Sequence, residues 1–448
     1  MNQEAQSKID AALRDLCSGD IGPARTAARL PNKDVYLACA LADLEGVDSF
    51  IREDAGWVTR TGGPNGWEPI QYACYSGWTL YRPELKGDLV EIVKLLLASG
   101  ANPNACHVLP ENGRWPQTLL YACSGILNHA DLTELLLKAG ADINEGLPEP
   151  DPNDPGKSPW GPEALYHATE FKDTACLELL LKAGPRRLYV SYCLARALDF
   201  ENPAAIGLFL RYGADPDFQV PWAQNRAHLH RAIINGRSAE IAELLIKAGA
   251  CLAARDKRGF TAYRYAVRYG RIEIQRLLES RGESDATASD RELGLLMQGI
   301  SGVTPTEPID PALANDAARR NDVRALTALA GAGGDLNALH GGMAPLHEAA
   351  WWGRLESVRF LIARGADLHA SNSYGGDALS TAIHGSLNCF GGGAGPAAYL
   401  PEEAPAGDYP GIVELLVEAG AKVPAHGDGS PSVRLVLRRH LGALGSAE

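Results

Sequence analysis

The chain has 448 residues, 46% apolar and 22% charged, which supplies enough apolar side chain for two or three cores and excludes a disordered polymer. A net charge of −13 argues against the phosphate backbone of nucleic acid, or an anionic membrane, as a general partner. The nine cysteines form no C-x-x-C pair, the N-terminal segment has no apolar leader, and no apolar run reaches the roughly 18 residues of a membrane span, so a soluble, cytoplasmic protein is expected.

Residues 1–33 read as a helical cap. Beyond them one phrase recurs: a leucine-rich helix end, then a small residue, Gly, Ala and Asp or Asn. It stands as VKLLLASGANPN (93–104), TELLLKAGADIN (133–144), GLFLRYGADPD (207–217), VRFLIARGADLH (358–369) and VELLVEAGAKV (413–423). Most copies follow a second phrase of the form Leu-x-x-Ala, cleanest in MAPLHEAAWWGRLESV (343–358). Each unit therefore reads as helix, tight turn, helix and a glycine suited to the left-handed helix end, with the Asp or Asn bonding backbone in the turn. Both helices carry apolar stripes at helical spacing, so neither stays dry without stacked neighbours.

About ten such units open near Val35, Trp67, Pro116, Pro162, Val190, Ala227, Phe260, Pro311, Met343 and Asp377. Segment 341–370 resembles a near-consensus ankyrin repeat, with Ala344-Pro345-Leu346-His347 in the family's Thr-Pro-Leu-His slot, and the whole arrangement resembles bacterial multi-repeat ankyrin proteins. The resemblance implies an all-α ankyrin-repeat solenoid with capping helices and loop insertions. The layout expected is a cap at 1–33, a first stack at 34–287, an irregular break at 288–310, a second stack at 311–424 and a cap helix at 425–448. The insertions 77–88, 145–161 and 386–411 are rich in Pro, Gly or acids and read as loops on one face.

Catalytic motifs do not complete. His347-Glu348-Ala349-Ala350 begins like the zinc-protease H-E-x-x-H, but Trp351 stands where the second histidine belongs. His347 reads instead as the repeat's turn-stabilising histidine. His228 and His230 are two apart, off the i, i+4 pairing of a helical metal site. Cys74 and Cys123 fall at small packed positions. No cofactor or metal is implied, and no enzyme activity.

Function then rests on surfaces. In the ankyrin family the two residues after the small pair of the first helix face the concave groove. Carried over by motif, that slot holds Tyr75 and Ser76, Glu170 and Phe171, Asp199 and Phe200, and Ile234 and Asn235. It continues with Arg268 and Tyr269, Arg319 and Arg320, Trp351 and Trp352, and His384. Tyr, Phe, Arg and Trp dominate binding hot spots. Phe171 and Phe200 read equally well as cover for a neighbouring helix. Adjacent helix residues point about 100° apart, so burying both tryptophans within one repeat is awkward. The segment RGFTAYRYAVRYGR (258–271) interleaves Arg with Tyr, a pattern that suits an acidic protein segment better than nucleic acid. The expected role is a scaffold or adaptor binding a protein or peptide; the alternative is an enzyme or small-ligand receptor built from the insertions.

Overall fold

The computed structural model describes residues 3–18, 25, 28–29, 33–108, 116–147, 161–219, 226–388, 407–424 and 429–444. Among them the chain is a succession of paired helices, from Val35–Ala40 with Leu44–Glu53 to Ala378–Asn388 with Tyr409–Glu418. The sequence rule holds locally at the end of most second helices, though not at Leu44–Glu53, which runs into the extended Asp54. Gly100, Gly140, Gly213, Gly249, Gly333, Gly365 and Gly420 all take positive φ between 78° and 104°, where a Cβ would be strained.

The Asp and Asn that follow divide two tasks. Asp142 Oδ1 accepts from Asn144 N of its own turn at 2.9 Å, and Asp335 Oδ1 accepts from Asn337 N at 2.8 Å. The asparagine two residues on reaches the next repeat: Asn104 Oδ1 accepts from Asp142 N, Asn144 Oδ1 from Arg186 N and Asn337 Oδ1 from Asp367 N, at 2.7–3.0 Å. The repeated phrase is thus a hydrogen-bonded ladder from turn to turn as well as a helix stop.

The first helix of a repeat is fixed at its start. His347 Nδ1 accepts from Ala344 N at 3.2 Å while its Nε2 donates to Ala370 O at 2.9 Å, tying the helix Pro345–Trp351 to the following turn. His230 donates likewise to Phe260 O at 3.1 Å. Gln71, in the same slot, accepts from Glu68 N at 3.0 Å. Apolar faces close over this frame, with Leu346, Ala349, Val358 and Leu361 buried. Cys74 and Cys123 are buried packing residues.

The chain divides into two compact units, the first holding the described residues up to Ala214 and the second those from Asp215 onward, apart from a stretch outside the described residues. At the start of the first, the helix Gln3–Ser18 buries Ile9, Ala12, Leu13 and Leu16 against Val35–Ala40 and Pro69–Tyr75. At the end of the second, Pro431–Leu444 buries Val433, Val436 and Leu437 against Tyr409–Glu418. The 288–310 stretch lies inside the second unit. Its helix Ala288–Met297, capped by Thr287, packs against Ala262–Arg268 and Val323–Gly331.

Two features depart from the sequence reading. Cys106–Val108 pairs antiparallel with Pro116–Thr118, so the first unit carries a short hairpin beside its helices. Residues 77–88, expected as a loop, are largely helical: Trp78–Tyr81, then a 3-10 turn at Pro83–Leu85, then the start of Lys86–Ala98. Burial of Trp78, and a bond from Gly77 N to Leu16 O at 3.1 Å, draw that stretch inward. Most of the 145–161 and 386–411 insertions lies outside the described residues.

Candidate functional site

The groove positions singled out by the repeat motif differ sharply in what covers them. In the first unit Tyr75 is buried. Its hydroxyl donates to Thr118 O at 2.9 Å, and its ring lies 5.2 Å from Trp67 and 5.1 Å from His107, centre to centre. Phe171 is buried and its carbonyl accepts from Asn202 Nδ2 at 2.8 Å. Phe200 is half-buried beneath the Arg196 guanidinium, 4.6 Å from the ring centre.

In the second unit Arg268 is 5% exposed rather than presented outward, with Nη1 3.1 Å from Asp290 and Nη2 3.5 Å from Asp310. Tyr269 is buried edge-on to Tyr265. The Arg-Tyr segment 258–271 is electrostatically occupied from within: Arg264 pairs with Asp290, Arg258 with Asp310 and Arg271 with Asp316. Arg258 and Arg264 also lie over the Phe260 ring, at 4.7 and 3.8 Å. Tyr75, Phe171, Arg268 and Tyr269 are therefore enclosed, where the motif places exposed side chains.

Arg319 and Arg320 converge with Arg271 on one carboxylate. Asp316 Oδ1 is 3.0 Å from Arg319 Nη2, and its Oδ2 is 2.8 Å from Arg320 Nε and 2.9 Å from Arg271 Nη2. Burial alone would raise the Asp316 pKa, but the three guanidiniums outweigh it and hold it at about 2. Arg319 also donates to Asn235 Oδ1 at 2.8 Å and to Ile234 O at 2.9 Å.

The remaining predicted residues do come together. Trp351 and Trp352, at the end of Pro345–Trp351 and just past it, and His384, on Ala378–Asn388, line one cavity of about 760 Å³, with Arg319 also on its wall. The His384 ring stacks on Trp351 with centres 5.1 Å apart and planes 27° from parallel. Burial pushes the His384 imidazole below its usual pKa, which keeps it uncharged at neutral pH.

Two of the lining residues outside the motif bear on the cavity's chemistry. Tyr374 stands in the turn between repeats and is 87% exposed, although its turn is rigid: Asn372 Oδ1 accepts from Tyr374 N at 2.9 Å and from Gly376 N at 3.0 Å. Glu348 is half-buried, and its Oε2 accepts from Trp352 Nε1 at 3.2 Å. Burial raises its pKa. Its spacing of three and four residues from Trp351 and Trp352, one helical face, was the available signal. Among the described residues no group of three or more His, Cys, Asp or Glu could hold a metal ion, and no helix is long and apolar enough to cross a membrane.

Stacked helix pairs, each ended by a left-handed glycine and laced turn to turn, define a helix-pair repeat protein. The family model "Ankyrin repeats (3 copies)" matches residues 194–290, and the model "Ankyrin repeat" matches 65–108 and 341–373. The chain is an ankyrin-repeat protein. No curated protein matches it. Among solved structures it is similar to the human ASB11 ankyrin repeat domain, at 20% identity over 57% of this chain and 100% of that one, with a TM-score of 0.40. Ankyrin repeats are in general protein-interaction modules.

Proposed function

We propose that this chain is a cytoplasmic scaffold or adaptor that binds a protein or peptide partner through the second unit, with the Trp351 cavity as the centre of contact. One observation carries the reading. Residues from three separate helices and a turn, namely Arg319, Trp351, His384 and Tyr374, line a single cavity in which large aromatic surface stays open to solvent. Aromatic anchors in a pocket are where binding energy concentrates. Folding does not require the exposed tyrosine, since its turn is held by backbone bonds to Asn372.

The test is selection of displayed random peptides against the full-length protein, followed by affinity measurement with Trp351→Ala. A hot-spot loss of about 2 kcal/mol corresponds to roughly thirtyfold weaker binding. The melting temperature is expected to fall by only a few degrees, about 2–4 °C per kcal/mol in a chain of this size, since the ring is half-buried. Peptides that bind the variant as tightly as wild type sink the proposal.

A further inference from the structure

We propose that the Trp351 cavity takes a cationic side chain, a lysine ammonium or arginine guanidinium presented by an extended peptide, held against Trp351, Trp352 and Tyr374 with the Glu348 carboxylate as its counter-charge. This rests on the reading of the cavity as a peptide site and adds the chemistry of the anchor.

Three features of the lining select a cation over a plain apolar plug. Trp351, Trp352 and Tyr374 are among the cavity's lining, and the negative face of an indole or phenol ring attracts a positive charge within about 6 Å of its centre. Its carboxylate has no direct ionic partner: Glu348 receives a hydrogen bond from Trp352 Nε1 and forms no ion pair among the described residues, the Arg319 charge reaching it only from a distance and not outweighing burial. A half-buried acid whose burial outweighs its neighbours is destabilised in its charged form, and an incoming cation supplies a direct ionic partner.

The cavity's one arginine, in turn, makes its direct bonds elsewhere. Arg319 directs its guanidinium at Asp316, Asn235 and the Ile234 carbonyl. His384, its pKa lowered, adds a flat neutral ring stacked on Trp351 rather than a competing charge. A chain of net charge −13 also draws basic segments toward it from a distance.

The rival occupant is an apolar anchor such as leucine or phenylalanine, which the same rings would cover. A peptide set separates the two: nine-residue Gly/Ser peptides, labelled for fluorescence polarisation, with Lys, Arg, norleucine, Phe or Glu at the centre. Each is titrated against the full-length protein at low and at 0.5 M salt. The Lys or Arg peptide is expected to bind at least tenfold tighter than the norleucine peptide, and to lose most of that margin in high salt. Glu348→Gln is expected to bring Lys and norleucine within about twofold of each other. Tyr374→Ala removes an exposed ring and cannot unfold its turn, so it tests the cage even if Glu348→Gln proves unstable, and is expected to weaken the Lys peptide about fivefold.

Norleucine or Phe binding as tightly as Lys overturns the cationic anchor and leaves the peptide-binding reading intact, provided Trp351→Ala abolishes that binding. A Glu-centred peptide binding tightest also overturns it. If none of the centres binds at millimolar concentration, the cation assignment and the peptide site fall together.

Discussion

His347 shows how much one side chain holds. Its Nδ1 satisfies Ala344 N and its Nε2 satisfies Ala370 O, and it is 1% exposed. Alanine there strands a buried N–H and a part-buried carbonyl, so His347→Ala is expected to cost about 2–3 kcal/mol in urea unfolding. Gln71 makes only the first of these bonds in its own repeat, so His347→Gln is expected to recover part of the loss. An equal loss for both variants would show that ring packing, not hydrogen bonding, is what counts.

His167 offers a pH test. Burial alone lowers its pKa, but Glu170 at 2.9 Å and Glu163 at 3.2 Å outweigh that and raise it from 6.5 to about 9. A raised pKa gives stability that is complete below 6.5 and is lost as pH rises through 9. The difference in unfolding free energy between wild type and His167→Gln should therefore shrink steadily from pH 6.5 to 8.5, over a full range on the order of 3 kcal/mol. Taking the difference cancels the same-signed contribution of Glu145, whose pKa burial raises to about 8. A pH-independent difference would remove the charged imidazole from the account.

The same scale explains what the sequence hid. The motif marks a side-chain slot but says nothing of its cover. His107, on the hairpin, closes over Tyr75, and Asp290, on the helix Ala288–Met297, takes up Arg268. Both covers sit at the very ends of the matched repeat spans, on a hairpin and a further helix whose packing against the slot is a tertiary contact that periodicity cannot place.

At the scale of the element, helix ends were the most legible part, because glycine conformation and the Asp-x-Asn turn are local chemistry. Not all glycines in the pattern act alike, however. Gly365 takes φ +78° with nothing within 4 Å of an added Cβ, so Gly365→Ala is expected to cost only the backbone strain, about 1 kcal/mol. Gly353 takes φ +68°, but an added Cβ would come 2.5 Å from Gly407 Cα, and its carbonyl accepts from Asp408 N at 3.2 Å. Gly353→Ala must also push apart two repeats and is expected to cost at least twice as much in denaturant unfolding. Similar values for the two would mean that the Gly353–Gly407 approach relaxes freely. Sequence marks both as glycines after a helix; only the fold shows that one is a turn and the other a contact.

At the scale of the molecule, repeat stability is ordinarily a sum of each unit and its neighbours, and a local defect loosens only what it touches. Asp316 breaks that rule within the second unit. It gathers Arg271, Arg319 and Arg320, while Arg319 reaches back to Ile234 O, a bond spanning 85 residues of sequence. The helix Ala288–Met297 interrupts the regular succession between these partners, so this buried charge cluster does across the interruption what the asparagine ladder does between ordinary neighbours. Removing the one anion leaves guanidiniums uncompensated in a buried place, at a cost of about 3–5 kcal/mol for Asp316→Ala. Hydrogen exchange should then accelerate together in His228–Ile234, Ala262–Arg268 and Pro311–Arg319, while Val35–Ala40 and Pro69–Tyr75 in the first unit keep their protection. Acceleration confined to Pro311–Arg319 would demote the cluster to a local decoration. Acceleration through both units alike would mean that the chain unfolds as one body and that the division at Ala214 has no energetic meaning.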